Sequence, residues 1–112
     1  MKKREMIKTH HEFSEIIGHT KYLKNKEYTI YIRKGKYSYS HFGIAVSKKL
    51  GNAVNRNLLK RRMRQILDEY KKELSQNEDY IIIMKENVKN ISFQEMRTSF
   101  HNLMKKRRDY EK

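Results

Sequence analysis

The sequence predicts a single domain of the α+β class, with elements in the order helix, two or three strands, helix, strand, helix. Its 112 residues are enough for one domain with one modest hydrophobic core. Apolar residues recur at helical spacing in three segments and follow strand patterns in three others. The chain has no proline, and its four glycines are scattered without a linker or repeat. We therefore treat residues 1–112 as one domain and expect disorder only at the two charged ends.

The first half of the chain predicts a short helix followed by strands. Residues 12–19 are predicted to be helical, because Phe13, Ile16 and Ile17 share one face. Residues 27–33 alternate as a strand, and its apolar face is Tyr28, Ile30 and Ile32. A polar loop at 34–40 leads to a second strand at 41–47, whose apolar face is Phe42, Ile44 and Val46.

The second half predicts a long helix, a buried strand and a last helix. The long helix, from residue 52 to about 74, has an apolar stripe of Leu59, Met63, Ile66, Leu67, Tyr70 and Leu74. Residues 80–85 form a strand that is apolar on both faces, so we expect it to be central or covered. Ser92 is expected to cap the last helix, with Glu95 completing a capping box. The buried stripe of that helix is Phe93, Met96, Phe100, Leu103 and Met104. The long helix connects two strands of the sheet as a crossover. From these residues alone, the common right-handed crossover is expected.

Charge and composition restrict the partners of the chain. The formal net charge is +14, from 27 Lys and Arg against 13 Asp and Glu. Such a balance favours a polyanionic partner, nucleic acid before an acidic membrane surface. The absence of cysteine excludes a disulfide scaffold and a thiol nucleophile. No apolar run approaches the roughly 20 residues that cross a bilayer, and the start lacks the apolar core of a secretory signal. We expect a cytoplasmic protein without a membrane partner.

The long helix carries the strongest functional signal. Opposite its apolar stripe lie Asn57, Lys60, Arg61, Arg64 and Lys71. Fixed cations about one helical turn apart suit a phosphate backbone. A solvated helix face is the ordinary alternative for a charge run. The alternative is weakened because only Asp68 and Glu69 stand at i+4 from Arg64 and Gln65, ready to pair within the helix.

The outer faces of the first two strands predict a second surface. It carries Thr29, Tyr31, Arg33, Gly43, Ala45 and Ser47. Small residues beside one tyrosine would leave a shallow trough, and Phe13 and Ile17 could form one of its sides. A single strand of RNA can lie in such a groove if an aromatic ring stacks on its bases. Core packing of Phe13 and Ile17 is an equally good interpretation from sequence.

No pattern of catalytic or metal-binding residues is present. The histidines at 10, 11, 19, 41 and 101 lack ligand spacing, and the start at 10–12 is expected to be solvated. The acidic residues on or after the long helix are interpreted as surface charges or terminal caps: Asp68, Glu69, Glu73, Glu78 and Asp79. The chain is therefore predicted to hold RNA and to have no catalytic residue of its own.

The segment 47–64 resembles the signature of the bacterial ribonuclease P proteins. It reads Ser47-Lys48-Lys49-x-Gly51-Asn52-Ala53-Val54-x-Arg56-Asn57-x-x-Lys60-Arg61-x-x-Arg64, and every one of these positions matches. The resemblance extends over nearly the whole chain, from Lys2, Lys3 and Arg4 through Phe13 to the strand at Tyr80 and the last helix.

This resemblance implies a fold and an activity. The fold is a four-stranded sheet packed with three helices, with an unusual left-handed crossover. The implied function is that of the protein subunit of ribonuclease P, an endonuclease that removes the 5′ leader of precursor tRNA. The active site and its Mg²⁺ ions belong to the catalytic RNA partner, with one protein per RNA. Metal ions near the start of the basic helix also occur in such proteins, but no residue spacing here gives ligands for them.

The resemblance also implies which residues bind. Those expected to bind the catalytic RNA are Lys48, Lys49, Asn52, Arg56, Asn57, Lys60, Arg61 and Arg64. Those expected to bind the leader are Phe13, Ile17, Thr29, Tyr31, Ala45, Ser47 and Arg56. Ile17 departs from the family's frequent second aromatic residue. The alternative function is a ribosomal or other structural RNA-binding protein, which would share the charge and the single domain but has no need of a leader trough.

Overall fold

A computed structural model describes residues 5–7, 10–18, 22–35, 39–73 and 78–110, without the side chains of 10 and 107–110. Its helices are α1 (His10–Gly18), α2 (Ala53–Tyr70) and α3 (Phe93–Tyr110). Its strands are β1 (Tyr22–Lys24), β2 (Tyr28–Lys34), β3 (His41–Val46) and β4 (Glu78–Met84). Short 3₁₀ turns lie at Lys48–Leu50, Lys71–Glu73 and Glu86–Asn90. The predicted α+β order is confirmed, and β1 is the optional third strand before the long helix.

The four strands form one mixed sheet in the order β1-β2-β4-β3. Strand β2 runs antiparallel to both β1 and β4, whereas β3 and β4 are parallel neighbours. Parallel neighbours need a crossover connection, and α2 supplies it. The hand of this crossover stays a prediction of the family resemblance.

The face of the sheet under α2 and α3 carries the main core. Tyr28, Ile30, Phe42, Tyr80, Ile82 and Met84 point to this face and are buried. They pack against the apolar stripe of α2 and against Met96, Phe100, Leu103 and Met104 of α3. Both predicted helix stripes are thus confirmed, except that Leu74 lies outside the described residues. The hydroxyl of Tyr28 donates to the Met96 carbonyl at 3.0 Å, and burial raises the pKa of Tyr28.

The opposite face of the sheet carries a smaller cluster under α1. Ile16 of α1 is fully buried and packs with Ile7 and Ile81. Phe13, Tyr31 and Ile83 are partly buried against it. Because β4 is buried from both sides, the prediction of a central strand is confirmed.

Local hydrogen bonds set the start of the two long helices. The Asn52 side chain accepts from the Asn55 N–H at 3.0 Å and so caps α2. Helix α2 ends at Tyr70, before the predicted end, and continues as a 3₁₀ turn. The predicted capping box of α3 is confirmed, since the Glu95 N–H donates to Ser92 Oγ at 3.1 Å and the Ser92 N–H donates to Glu95 Oε1 at 3.2 Å. Across the described ranges, none of the helices has the length and apolar character to span a membrane.

Candidate nucleic-acid interface

Three rows of residues cross the α1 face of the sheet, because the strand register aligns residues of neighbouring strands; the first row crosses three strands and the other two cross all four. The first row is Arg33, Asp79 and His41. The second is Tyr22, Tyr31, Ile81 and Gly43. The third is Lys24, Thr29, Ile83 and Ala45. The rows differ in how far α1 covers them, and this decides where a ligand could lie.

The first row is closed by ion pairs. Arg33 Nε lies 3.0 Å from Asp79 Oδ2, and a second nitrogen of Arg33 lies 3.5 Å from Glu15 of α1. Asp79 is only 3% exposed, and its other oxygen lies 3.8 Å from His41 Nδ1. The expectation that Asp79 is a surface charge or a cap is wrong, because the register of β4 places this buried carboxylate between Arg33 and His41, whereas Glu78 is partly exposed at the start of the strand. Arg33 is likewise not an open cation of the trough.

The second row is covered over part of its length by α1. A Cβ built on Gly43 would lie 2.6 Å from Phe13 Cζ, so the Phe13 ring rests directly on the Gly43 backbone. The expectation that Gly43 leaves open room beside Tyr31 is therefore wrong, since Phe13 fills that space. Phe13 is partly buried and Ile17 is 38% exposed, so Phe13 packs on the sheet while Ile17 borders solvent.

The third row is the open floor of this face. Thr29, Ala45 and Ile83 are partly exposed, and Lys24 is exposed. Ser47, just beyond β3, is also exposed, and its Oγ accepts from the Lys49 N–H at 3.2 Å. Together with Tyr31, Phe13 and Ile17, these residues form a shallow surface, which we call the trough. The predicted leader residues other than Arg56 thus lie on one face of the molecule or at its edge.

Sequence reasoning missed the contribution of β1 to this face. Tyr22 pairs with Tyr31 across the strands, and the ring centroids are 5.5 Å apart. The segment Tyr22–Lys24 is too short to show an alternating pattern by itself. Its only sequence signal is an aromatic residue and a lysine flanking Leu23.

The outer face of α2 is an exposed basic surface. Leu59, Met63, Ile66, Leu67 and Tyr70 are buried as predicted. On the other side Asn57, Arg61 and Arg64 are exposed, and Lys60 is partly exposed. In the part of the chain that the structure describes, no carboxylate forms an ion pair with Lys60, Arg61, Arg62 or Arg64. These cations keep their charge available for an external anion.

Three residues near the end of α2 have other roles. The Nζ atom of Lys71 lies 3.3 Å from a carboxylate oxygen of Glu5 and 3.4 Å from one of Asp68, so Lys71 forms intramolecular ion pairs. The expectation that Lys71 belongs to the basic row is therefore wrong. Glu69 pairs with Arg97 of α3, with an N–O distance of 2.8 Å. The two carboxylates at i+4 from Arg64 and Gln65, those of Asp68 and Glu69, thus pair with Lys71 and Arg97 instead.

The turn before α2 presents further polar groups. Lys48 and Lys49 are exposed in the 3₁₀ turn Lys48–Leu50, and Gly51 follows it as the C-cap. Gly51 has a φ of 115°, a conformation that favours glycine. Asn52 uses its side-chain oxygen for the helix cap, which leaves its amide N–H groups for other contacts. Arg56 is partly buried, and its Nε is buried without a hydrogen-bond partner in the described structure.

Histidines and carboxylates do not converge into a metal site in the segments described here, where no group of three His, Cys, Asp or Glu side chains could hold an ion. His11 is 88% exposed, as expected for a solvated helix start. His41 is buried, and its Nε2 lies 3.0 Å from the Met6 carbonyl. His19 and the side chain of His10 lie outside the described residues.

Comparison with known proteins gives one consistent family. A family model described as Ribonuclease P matches residues 1–108. The "Ribonuclease P protein component" of Bacillus pumilus is 34% identical over 112 residues, covering 99% of this chain and 94% of that protein. The protein of the same description from Mycoplasma mycoides is 38% identical over 106 residues, covering 94% and 97%. The solved structure of the Staphylococcus aureus RNase P protein superposes with a TM-score of 0.85 at 30% identity, covering 92% of this chain and 94% of that one.

Proposed function

Since the chain belongs to the bacterial ribonuclease P protein family and is therefore a subunit of that tRNA-processing enzyme, we propose that its task is to bind RNA. In this proposal α2 and the turn before it bind the catalytic RNA, and the trough binds the 5′ leader of precursor tRNA. The observation that carries the proposal is the exposed cation row of α2, which no described carboxylate neutralises.

The row suits a phosphate backbone for geometric reasons. Lys60 and Arg64 are four residues apart, about 6 Å along the helix axis, and Arg61 lies beside them. Their backbone is fixed because the other face of α2 is locked in the core. An arginine fork binds phosphate oxygens in pairs, and the amide of Asn57 adds a directional donor. Lys48, Lys49, Asn52 and Arg56 continue the polar surface towards the trough.

The trough suits a single strand for a different reason. Its open floor is shallow and mostly uncharged, so it favours contacts with the flat faces of bases. Tyr31 is partly exposed, packs against the cluster under α1 and has the Tyr22 ring beside it, so its ring is a preformed stacking surface. Phe13, Ile17, Thr29, Ala45 and Ser47 border it, and Arg56 lies in the helix that follows.

The chemistry of cleavage is assigned, in this proposal, to the RNA partner and its Mg²⁺ ions. Mg²⁺ takes carboxylate and phosphate oxygens. The carboxylate of Asp79 is buried, and its two oxygens already face Arg33 and His41. This carboxylate therefore does not fit as a ligand of a magnesium ion. The protein would act with one copy per RNA, by positioning the leader and screening phosphate repulsion.

Reconstitution tests the assignment of roles. Purified protein, the catalytic RNA and precursor tRNA are combined in Mg²⁺ buffer, with each component omitted in turn. We expect the leader to be removed only when the RNA is present, and the protein to raise affinity for precursor tRNA. Cleavage by the protein alone would contradict the proposal. Equal substrate affinity with and without the protein would instead favour a purely structural RNA-binding role.

Tyr31→Ala should weaken the assembled enzyme's affinity for precursor tRNA while leaving its affinity for mature tRNA nearly unchanged. Mature tRNA lacks the leader, and one base–aromatic stack contributes about 1–3 kcal/mol, or roughly 5- to 150-fold in affinity. Equilibrium binding with both tRNAs measures the difference. Tyr31→Phe keeps the ring and should behave like the parent. An equal loss for precursor and mature tRNA would place the leader elsewhere.

A further inference from the structure

We propose that strand β1 extends the leader site to the edge of the sheet, where Tyr22 stacks on a further base and Lys24 binds a phosphate of the same strand. This inference rests on the proposed binding of the leader in the trough. It adds two residues that lie outside the sequence motif, and it predicts how much of the leader the protein contacts.

The strand register places both residues on the trough face. Tyr22 pairs with Tyr31, and Lys24 pairs with Thr29. Leu23, between them, points to the opposite face and packs against the main core. Because side chains alternate along a strand, the burial of Leu23 fixes Tyr22 and Lys24 on the side where Tyr31 and Thr29 lie.

The two tyrosines form one aromatic surface. Their ring centroids are 5.5 Å apart with an interplanar angle of 48°. Tyr31 is partly buried against Ile16 and its neighbours, whereas Tyr22 is 54% exposed. A large aromatic side chain more than half in solvent contributes little burial, so its exposed π-face remains available to a base.

Lys24 supplies the matching charge. It is exposed, and among the described residues no carboxylate pairs with it. Its neighbours in the third row, Thr29, Ile83 and Ala45, are uncharged. A cation at the end of an uncharged row, next to an exposed ring, matches the alternation of phosphate and base in a single strand.

The position of β1 gives the direction in which the RNA leader runs across the sheet. The third row crosses four strands, so it runs about 14 Å from Ala45 to Lys24 at roughly 4.8 Å per strand spacing. The Ala45 end continues through Ser47 to the turn before α2, and this turn and α2 bind the catalytic RNA in the proposed function. Because the proposed active site belongs to the catalytic RNA, the leader nucleotides nearest the cleavage site lie at the α2 end. Tyr22 and Lys24 then contact nucleotides further upstream.

Nested leaders test this geometry in the reconstituted holoenzyme. Precursor tRNAs carrying progressively shorter 5′ leaders are bound to the parent enzyme and to the Tyr22→Ala, Lys24→Ala and Tyr31→Ala variants. We expect Tyr22→Ala to lose on the order of tenfold in affinity for the longest leaders and nothing for the shortest ones. Lys24→Ala should lower the log–log salt slope by about 0.7 for long leaders. Lys26→Ala, an exposed lysine in the next turn, is the matched control and should leave both values unchanged.

Two comparisons keep the outcome decisive. Tyr22→Leu retains an apolar cover over Tyr31 but has no π-face, so it should lose as much affinity as Tyr22→Ala. Full affinity in Tyr22→Leu, or an equal loss of affinity at every leader length, would mean that Tyr22 only supports Tyr31 and would overturn the inference. Parental affinity of Tyr22→Ala at all lengths, with Tyr31→Ala weakened, would also overturn it while leaving the proposed function intact. If Tyr31→Ala is unaffected as well, the proposed leader site itself fails.

Discussion

Replacing Lys60, Arg61 and Arg64 together with alanine should weaken binding of the catalytic RNA by roughly a hundredfold at physiological salt. Each lost phosphate contact lowers the slope of log affinity against log salt by about 0.7–0.9, so three contacts lower it by about 2–3. Gel-shift or filter binding over a salt series measures both quantities. The helix itself should persist, because alanine is the best helix former and the changed side chains lie outside the core.

The control for this variant removes the same number of charges elsewhere. Lys72, Lys105 and Lys106 are exposed lysines outside the basic row, and their replacement by alanine changes the net charge equally. If the two triple variants bind alike, the affinity reflects total charge and not a specific helix face. If the α2 variant is folded and keeps the parental affinity and slope, α2 does not contact the RNA.

The variants of the two surfaces should separate assembly from substrate binding. Loss of the α2 row should raise the protein concentration needed to form the holoenzyme. Tyr31→Ala should leave that concentration unchanged and act only on substrates with a leader. This separation follows from the fold, because α2 packs on one face of the sheet and the trough lies on the other.

The basic helix could be predicted from sequence because its pattern is local. Apolar residues at helical spacing fix which side of α2 is buried, and the cations necessarily occupy the rest. The Asn52 cap and the Ser92–Glu95 capping box are likewise short-range patterns. The family motif lies wholly within this local segment, which is why it could be matched position by position.

The trough could be predicted only in part because it is assembled from distant segments. Alternation correctly put Tyr31 and Ala45 on the face opposite the main core. Alternation could not show that the Phe13 ring packs on the backbone of Gly43, because that contact depends on how α1 docks on the sheet. Nor could it show that Asp79 lies between Arg33 and His41, since strand register decides this.

Strand β1 was the hardest element to predict. Three residues give no periodicity, and the strand exists because its backbone pairs with β2 while Leu23 packs under α3. Its two outward residues, Tyr22 and Lys24, therefore had no visible role in the sequence. Their place beside Tyr31 and Thr29 is a consequence of tertiary structure alone.

Ile66→Ala should lower the free energy of unfolding by about 2–5 kcal/mol, the usual cost of truncating a buried aliphatic side chain to alanine. Ile66 is 0% exposed and lies centrally in the stripe that joins α2 to the sheet. Domains of this size are stable by about 5–15 kcal/mol, so the loss is a large share of the total. Urea unfolding followed by circular dichroism should show a lower midpoint with an unchanged m-value.

Gln65→Ala is the matched control, because Gln65 is the adjacent residue and is exposed. Its stability should stay within about 0.5 kcal/mol of the parent. Ile66→Ala protein that remains folded should bind the catalytic RNA with the parental salt slope, because none of the cations has been removed. Parental stability in Ile66→Ala would mean that the buried face of α2 is assigned wrongly. Since the cations are placed outward only because Ile66 and its stripe are inward, the same result would also remove the structural basis for RNA binding by Lys60, Arg61 and Arg64.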